Sequence, residues 1–357
     1  MKKAGVFFLF VLLSSAVFAQ NYSEQIQKAD TIVTEFFSEH LLPGMSISVY
    51  KDDSMIWSKG YGFADLDNEI EVDPSETLFR IGSVSKTITA SGLGLLIQEG
   101  ILNADDEIQK WVPDFPQKKY PLTVKQVSGH IAGIRHYKGD EFMSTKKYET
   151  VKEGLVFFKD DPLLFEPGTK YQYSSYGWNL ISAVIEGASG EAFLPYMETQ
   201  VFEPLGMNNT VPDWADKDIE NRTKFYIWRN GTNVEAPYVD NSYKWAGGGF
   251  IGTTEDLIKF GEAHFGYEFL NEETQKLFIT PQITSDGKST NYGMGWRTWT
   301  HRGNDWIGHS GGSVGGSTMF LMNKKHRMII AYTINRSGAD FDNLHFRIAD
   351  VFLNSDQ

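Results

Sequence analysis

From Ser23 to Leu41 the apolar residues Ile26, Ala29, Ile32, Val33, Phe36 and Phe37 recur at helical spacing, and Pro43-Gly44 ends the run. Met45 to Tyr50 then alternates, turns at Lys51-Asp52-Asp53, and resumes from Met55 to Tyr61, which predicts a hairpin. Leu78 to Gly82 reads as extended chain. Ser83 opens a strongly apolar helix that runs to Gly100, a suitable C-terminal stop. Residues 104–235 read as mostly helical with long polar loops; the clearest helices are Val124–Ser128, Thr150–Phe158, Gly177–Ala188 and Ala192–Phe202. Beyond 236 the pattern is mixed. It predicts a helix over Thr254–Phe265, strands over Trp306–His309, Gly316–Asn323 and Arg327–Asn335, and a final helix over 340–353. The last two strands form a hairpin across Lys324-Lys325-His326.

Strands at both ends and helices between them predict an α/β (α+β) fold. Residues 23–103 and 236–357 share a mainly antiparallel sheet flanked by helices, and 104–235 form an inserted all-α lobe. A ligand cleft belongs between the lobes.

At the N-terminus, Lys2 and Lys3 precede an apolar run from Val6 to Leu13, closed by Val17-Phe18-Ala19. This pattern predicts a signal peptide over residues 1–19, cut before Gln20, and a periplasmic or secreted protein. The run is short for a membrane span, so no membrane association beyond export is expected. There are no cysteines, which removes disulfides, thiolate catalysis and Cys-ligated metals. The formal net charge of −13 argues against a nucleic-acid partner. No His-Glu-x-x-His is present, so no metal site is expected, and His130 and His136 read as polar residues in or near a site loop.

Ser-x-x-Lys occurs four times, at Ser48–Lys51, Ser83–Lys86, Ser144–Lys147 and Ser285–Lys288. The first lies on a strand, where i and i+3 face opposite ways. The third sits in a polar stretch, and the fourth spans an Asp286-Gly287 turn. Ser83–Lys86 alone opens an apolar helix. There i and i+3 share a face, the helix N-terminus favours developing negative charge, and burial lowers a lysine's proton affinity. A capping Ser followed by a surface Lys is the simpler alternative.

Two further elements suit the same chemistry. Pro167-Gly168 leads to Tyr173-Ser174-Ser175 just ahead of a helix, where a phenol could exchange a proton with Ser83. Gly308-His309-Ser310-Gly311-Gly312 offers a hydroxyl, an imidazole and backbone N–H groups on a strand that glycine lets a substrate approach. The N–H groups of Ser83 and Gly312 are the expected oxyanion donors. The same pentapeptide matches Gly-x-Ser-x-Gly with Ser310 as nucleophile, but an elbow serine needs a following helix, and Ser317 to Asn335 reads as a hairpin.

Phe79-Arg80-Ile81-Gly82-Ser83-Val84-Ser85-Lys86, Tyr173-Ser174-Ser175 and His309-Ser310-Gly311 together resemble the three motifs of the serine β-lactamase/penicillin-binding-protein family, in order and over about residues 25 to 355. Gly133-Ile134-Arg135-His136-Tyr137, Ser189-Gly190 and the run from Pro237 to Phe250 resemble its mitochondrial serine β-lactamase-like branch. The resemblance implies a β-lactamase/transpeptidase-like fold and a Ser83 acyl-enzyme, with Lys86 and Tyr173 as acid–base partners. Gly312, His309, Ser310, Gly311 and Ser175 would hold the oxyanion and substrate. It implies no cofactor, and a homo-oligomer is compatible with it. Ser175 stands where the motif has Asn and His309 where it has Lys, changes that fit a peptidase on peptide or other acyl-type substrates. A β-lactamase or D-Ala-D-Ala carboxypeptidase, a carboxylesterase, and an inactive binding or assembly module are the alternatives.

Overall fold

The computed structural model describes residues 22–353; the segment read as a signal peptide lies outside them. Helix α1 (Ser23–Glu39) leads into β1 (Gly44–Lys51) and β2 (Ser54–Asp65). These strands join β3 (Ile70–Glu71), β9 (Arg297–His301), β10 (Asn304–Ser313), β11 (Gly316–Asn323) and β12 (Met328–Ile334) in an antiparallel sheet of order β3-β2-β1-β12-β11-β10-β9. Both chain ends thus build one sheet, as the patterning predicts.

Alternation along the strands divides the core. Met45, Ile47 and Val49 of β1, Met319 and Leu321 of β11, and Ile330, Tyr332 and Ile334 of β12 meet α1 and the final helix α10 (Leu344–Leu353) through Val33, Phe36, Ile348 and Phe352. The alternate residues Tyr50, Phe320, Met322, Ile329 and Ala331 face the other way, into the core shared with the helices of the middle segment. Because both faces are covered, β11 and β12 are buried at every position, and Met319–Met322 and Met328–Tyr332 run apolar without alternation.

Helix α2 (Val84–Gln98) is central to that second core. It is apolar on most sides, and twelve of its fifteen residues are buried, so it is a core rod and not an amphipathic surface helix. Against it pack α5 (Ser175–Ser189) and α6 (Phe193–Met197), while α3 (Ile108–Trp111) and α4 (Val124–Ser128) pack on α5. Buried Ile88 and Leu93 of α2 and Trp178, Ile181 and Val184 of α5 belong to one continuous cluster.

Several elements differ from the sequence expectation. The middle segment is not helix and loop throughout. It holds a hairpin, β6 (Tyr226–Arg229) and β7 (Thr232–Glu235), turning at Asn230-Gly231 with both φ positive (52° and 83°), the Asn-Gly turn that matches strand twist. It also holds β5 (Val211–Pro212), which pairs with β8 (Phe250–Gly252), and β8 pairs in turn with β4 (Phe79–Arg80). The helix expected over Thr150–Phe158 is only a 3₁₀ turn over Glu153–Phe157, where Gly154 abuts the Tyr243 backbone. The final helix begins at Leu344 and not near 340, because Asp342 and Asn343 have positive φ. A short helix α7 (Trp245–Gly248) precedes β8, and α8 (Thr254–Glu262) and α9 (Glu272–Ile279) follow it.

The small β4-β8-β5 sheet fixes the start of α2. Arg80 Nε donates to Asp213 Oδ2 at 2.6 Å, its NH1 group donates to the Val314 carbonyl at 2.7 Å, and its guanidinium lies 3.8 Å from the Phe225 ring centre. Asn241 Nδ2 donates to the same Asp213 oxygen at 2.7 Å. The strand that leads to Ser83 is thereby tied to three distant parts of the chain.

The start of α5 is fixed as firmly. Ser174 Oγ accepts the Gly177 N–H at 3.2 Å as N-cap and donates to the Arg135 carbonyl at 2.6 Å. Ser174→Ala removes a cap and strands a buried carbonyl, so it should lower unfolding stability by about 2 kcal/mol. A urea titration should show the midpoint falling with an unchanged slope.

Candidate active site

Ser83 sits at the N-cap of α2, after Gly82 with φ +51°. Its side chain does not cap the helix, so the capping alternative does not describe it. Its Oγ lies instead 3.0 Å from Lys86 Nζ, one turn along the same face. Ser83 is partly exposed, while Lys86 is fully buried. The Lys86 amine also donates to Ser175 Oγ at 3.1 Å and to the Gly247 carbonyl. Burial pushes the Lys86 amine well below the usual lysine range, helped by the positive charges of Lys244 and Arg297.

Tyr173 completes the group. Its ring centre lies 5.1 Å from Lys86 Nζ. Burial raises the phenol's pKa, with the Ser83 hydroxyl and Arg297 opposing the rise. Two histidines hold the chain here. The Ser174 N–H donates to His130 Nδ1 and the Ser175 N–H to His136 Nδ1, each at 3.2 Å, which occupies N–H groups at the start of α5. Both imidazoles are held below the usual histidine range by burial, and His136 is pushed to about 4. They act as neutral acceptors.

Strand β10 passes directly over the nucleophile turn. A Cβ on Gly311 would stand 2.0 Å from the Ile81 carbonyl oxygen, and one on Gly82 would stand 2.8 Å from Gly312 N. Only glycine permits that approach. The contact sets the Gly312 N–H beside the turn that carries the Ser83 N–H. In the first turn of α2, the N–H groups of Val84, Ser85 and Lys86 bond back to Ile81, Gly82 and Ser83.

His309 is buried with both ring nitrogens engaged: Nδ1–H donates to the Ser310 carbonyl at 2.6 Å, and Nε2 accepts the Tyr292 hydroxyl at 2.9 Å. Burial and the charges of Lys86 and Arg297 push it well below the usual histidine range, so it is a neutral wall and not a cation. Ser310 lies on β10 with a strand after it, not a helix, as expected for a residue that is not an elbow nucleophile.

Ser83, Tyr173, Ser175, His309, Ser310 and Gly312 all line one cleft of about 620 Å³, with Lys86 beneath it and Gly311 against its floor. Every residue singled out in the sequence is therefore brought together. Two were not foreseen as site groups. Arg297, at the start of β9, lines the cleft over the rings of Tyr173 and Tyr292 (5.5 and 5.9 Å), and its buried Nε has no hydrogen-bond partner among the described residues. Lys244 lines another wall, and its amine is likewise unpartnered. Neither falls in a spacing pattern. Among the described residues no cluster of His, Cys, Asp and Glu could hold a metal ion.

The Beta-lactamase family model matches residues 29–352. The mouse serine beta-lactamase-like protein LACTB, mitochondrial, is 30% identical over 85% of this chain and 73% of its own length. Penicillin-binding protein 4* of Bacillus subtilis is 27% identical over 89% of this chain and 72% of its own. Among solved structures, the octameric penicillin-binding protein homologue from Pyrococcus abyssi superposes with a TM-score of 0.80 at 25% identity, over 92% of this chain and 77% of that one.

The buried amine has a consequence for stability. Its folded pKa lies below the 10.5 of an exposed lysine, so between those values the unfolded chain binds the extra proton and stability rises with pH. Lys86→Met removes that destabilising term. The variant should melt higher than the parent near pH 7, by a margin that shrinks as pH approaches 10.5. Calorimetry of both proteins across that range checks it; a margin that does not change with pH would contradict it.

Proposed function

The chain belongs to the Beta-lactamase family of serine hydrolases, and from that premise we propose that it is an exported serine peptidase working through a Ser83 acyl-enzyme. The observation that carries the reading is the 3.0 Å approach of Lys86 Nζ to Ser83 Oγ in an open cleft. A lysine whose proton affinity is lowered by burial can take the Ser83 proton as the oxygen attacks a carbonyl carbon. The N–H groups of Ser83 and Gly312 receive the oxyanion. Tyr173 relays the proton to the leaving amine, whose C–N bond breaks, and water then cleaves the ester to free Ser83. Ser175 keeps the lysine in place through the 3.1 Å contact. No step needs a cofactor.

Peptide substrates are supported by the strand edge. Pairing of β9 with β10 ends at Arg297↔Gly308, while β10 continues to Ser313 along the cleft. An extended peptide can add along that open edge with main-chain hydrogen bonds. Ser175 and His309 support the same reading, since neither supplies the amide or fixed charge expected in an efficient β-lactamase. One observation favours a second reading: Arg297 restores a fixed positive charge to the cleft, which suits the carboxylate of a β-lactam or a D-Ala-D-Ala peptide. Export to the periplasm or medium rests on the Lys2-Lys3 and Val6–Leu13 pattern. A homo-oligomer is supported by the octameric state of the Pyrococcus relative.

Intact-mass analysis should show a single adduct after incubation with a fluorophosphonate, mapped to Ser83, and none with Ser83→Ala. Hydrolysis should fall at least about 10³-fold in Ser83→Ala and in Lys86→Arg, whose guanidinium does not surrender its proton. Faster turnover of nitrocefin than of peptide anilides would select the second reading. A labelled site other than Ser83 would refute both. N-terminal sequencing of the mature protein should begin at Gln20 when the gene is expressed in a bacterial host.

A further inference from the structure

Lys244 is a buried amine with no hydrogen-bond partner among the described residues. It ends a 3₁₀ turn (Ser242–Lys244) ahead of α7, whose Gly247 carbonyl accepts from Lys86. The residue is 2% exposed, yet it lines the cleft that holds Ser83. Its Nζ makes no hydrogen bond with any described residue. Its neighbours are aromatic: the ring centres of Phe142, Tyr243 and Tyr137 lie 4.1, 5.3 and 5.8 Å from the nitrogen.

Nearby carboxylates are already committed. Asp213 serves Arg80, Asn241 and Arg222, at 2.6, 2.7 and 3.5 Å. Glu141 serves Arg135 and Tyr176, at 2.7 and 2.9 Å. Burial, with the positive charge of Arg80 and against the pull of Asp213, brings the Lys244 pKa down to about 7. An anion arriving beside it would draw the proton on and form the missing ion pair. An ammonium left unpaired in a low-dielectric wall is costly to the fold, and Lys244 does nothing else visible for packing that Met or Leu would not do more cheaply.

We infer that Lys244 marks an anion subsite, in which a carboxylate carried by the substrate pairs with its amine against the wall formed by Phe142, Tyr137 and Tyr243. This site is separate from Arg297, which stands over Tyr173 and Tyr292 on the β9 side. The inference rests on the peptidase reading and adds a preference to it: the favoured substrate carries an acidic side chain at the residue whose carbonyl Ser83 attacks or at the residue before it. Lys244 is a specificity residue; the bond-making groups remain Ser83, Lys86 and Tyr173.

The test uses paired peptide 4-nitroanilides that differ only as Glu against Gln, placed at the residue whose carbonyl is attacked and, in a second pair, at the residue before it. Active sites are counted by fluorophosphonate titration, so that misfolded protein does not enter the rates. In at least one pair the parent should prefer Glu by about 10-fold or more in kcat/KM, and Lys244→Met should bring that ratio close to one. Lys244→Arg, which keeps the charge, should retain a preference for Glu. If the parent is labelled at Ser83 but prefers Glu in neither pair, the anion subsite is refuted and the peptidase reading stands. If Lys244→Met slows Glu and Gln substrates equally, the residue acts on Lys86 or on packing, and the inference is again overturned. If Ser83 is not labelled at all, the parent reading has failed first.

Discussion

The structure is organised around one unfavourable placement, a lysine amine shut away from the molecular surface. Lys86 is fully buried, and its polar contacts are the Ser83 and Ser175 hydroxyls and one backbone carbonyl. No carboxylate pairs with it. In such a place the charged form is disfavoured by desolvation and the neutral form is not. The same burial that costs folding free energy lowers the amine's proton affinity, the property a base in serine chemistry needs. Each partner also comes from a different part of the chain: Ser83 from the turn ahead of α2, Ser175 from the start of α5, and Gly247 from α7. Keeping the amine dry therefore requires all three segments to be packed at once, which is why α2 is buried on nearly every side.

A second constraint follows from where β10 must lie. For its backbone to face Ser83, the strand has to pass at van der Waals distance from the Ile81-Gly82-Ser83 turn. Gly311 and Gly82 make that possible because neither could carry a Cβ without striking the other segment's backbone. The sheet thus does more than enclose a core. Its β10 edge, left open beyond Gly308, becomes one wall of the cleft, and the rest of the sheet holds it there through two buried faces. Arg80 adds the tether from β4 to Asp213 and Val314, so the nucleophile turn and the loop after β10 are held by one guanidinium.

Much of this was legible in the residues, and the reasons differ element by element. The terminal strands and helices announce themselves because each buries a regular face, with periods of 2 and 3.6. Among four Ser-x-x-Lys matches, local apolarity was enough to single out Ser83–Lys86, since the chemistry itself demands burial. The β6-β7 hairpin carried a readable Asn230-Gly231 turn, but its strands are short and half-exposed, so their alternation was faint beside the surrounding polar sequence. β5 and β8 hold two and three residues and exist only through pairing across the fold. Arg297 and Lys244 could not be recognised as site groups, because their place in the cleft comes from tertiary packing and not from any interval along the chain. The Ser310 carbonyl, which can only accept, places the His309 proton on Nδ1, a state the sequence alone left open.

The global charge and the local charge of this protein point in opposite directions, and the local one governs recognition. A net charge of −13 gives a surface that keeps the molecule soluble and, beyond a Debye length of about 10 Å, is largely screened. Inside the cleft the balance is reversed. Lys86, Lys244 and Arg297 lie close enough that the latter two depress the first, and no carboxylate lines that cavity. The depression has a direct chemical use. Each neighbouring positive charge makes protonation of Lys86 less favourable and so keeps the base available. An anionic substrate group that neutralised one of them would partly relieve that pressure while anchoring the acyl chain. On the proposed reading the cations around Ser83 would couple recognition to basicity, and the spacing between a substrate's charge and its scissile carbonyl would set how much of that relief reaches Lys86.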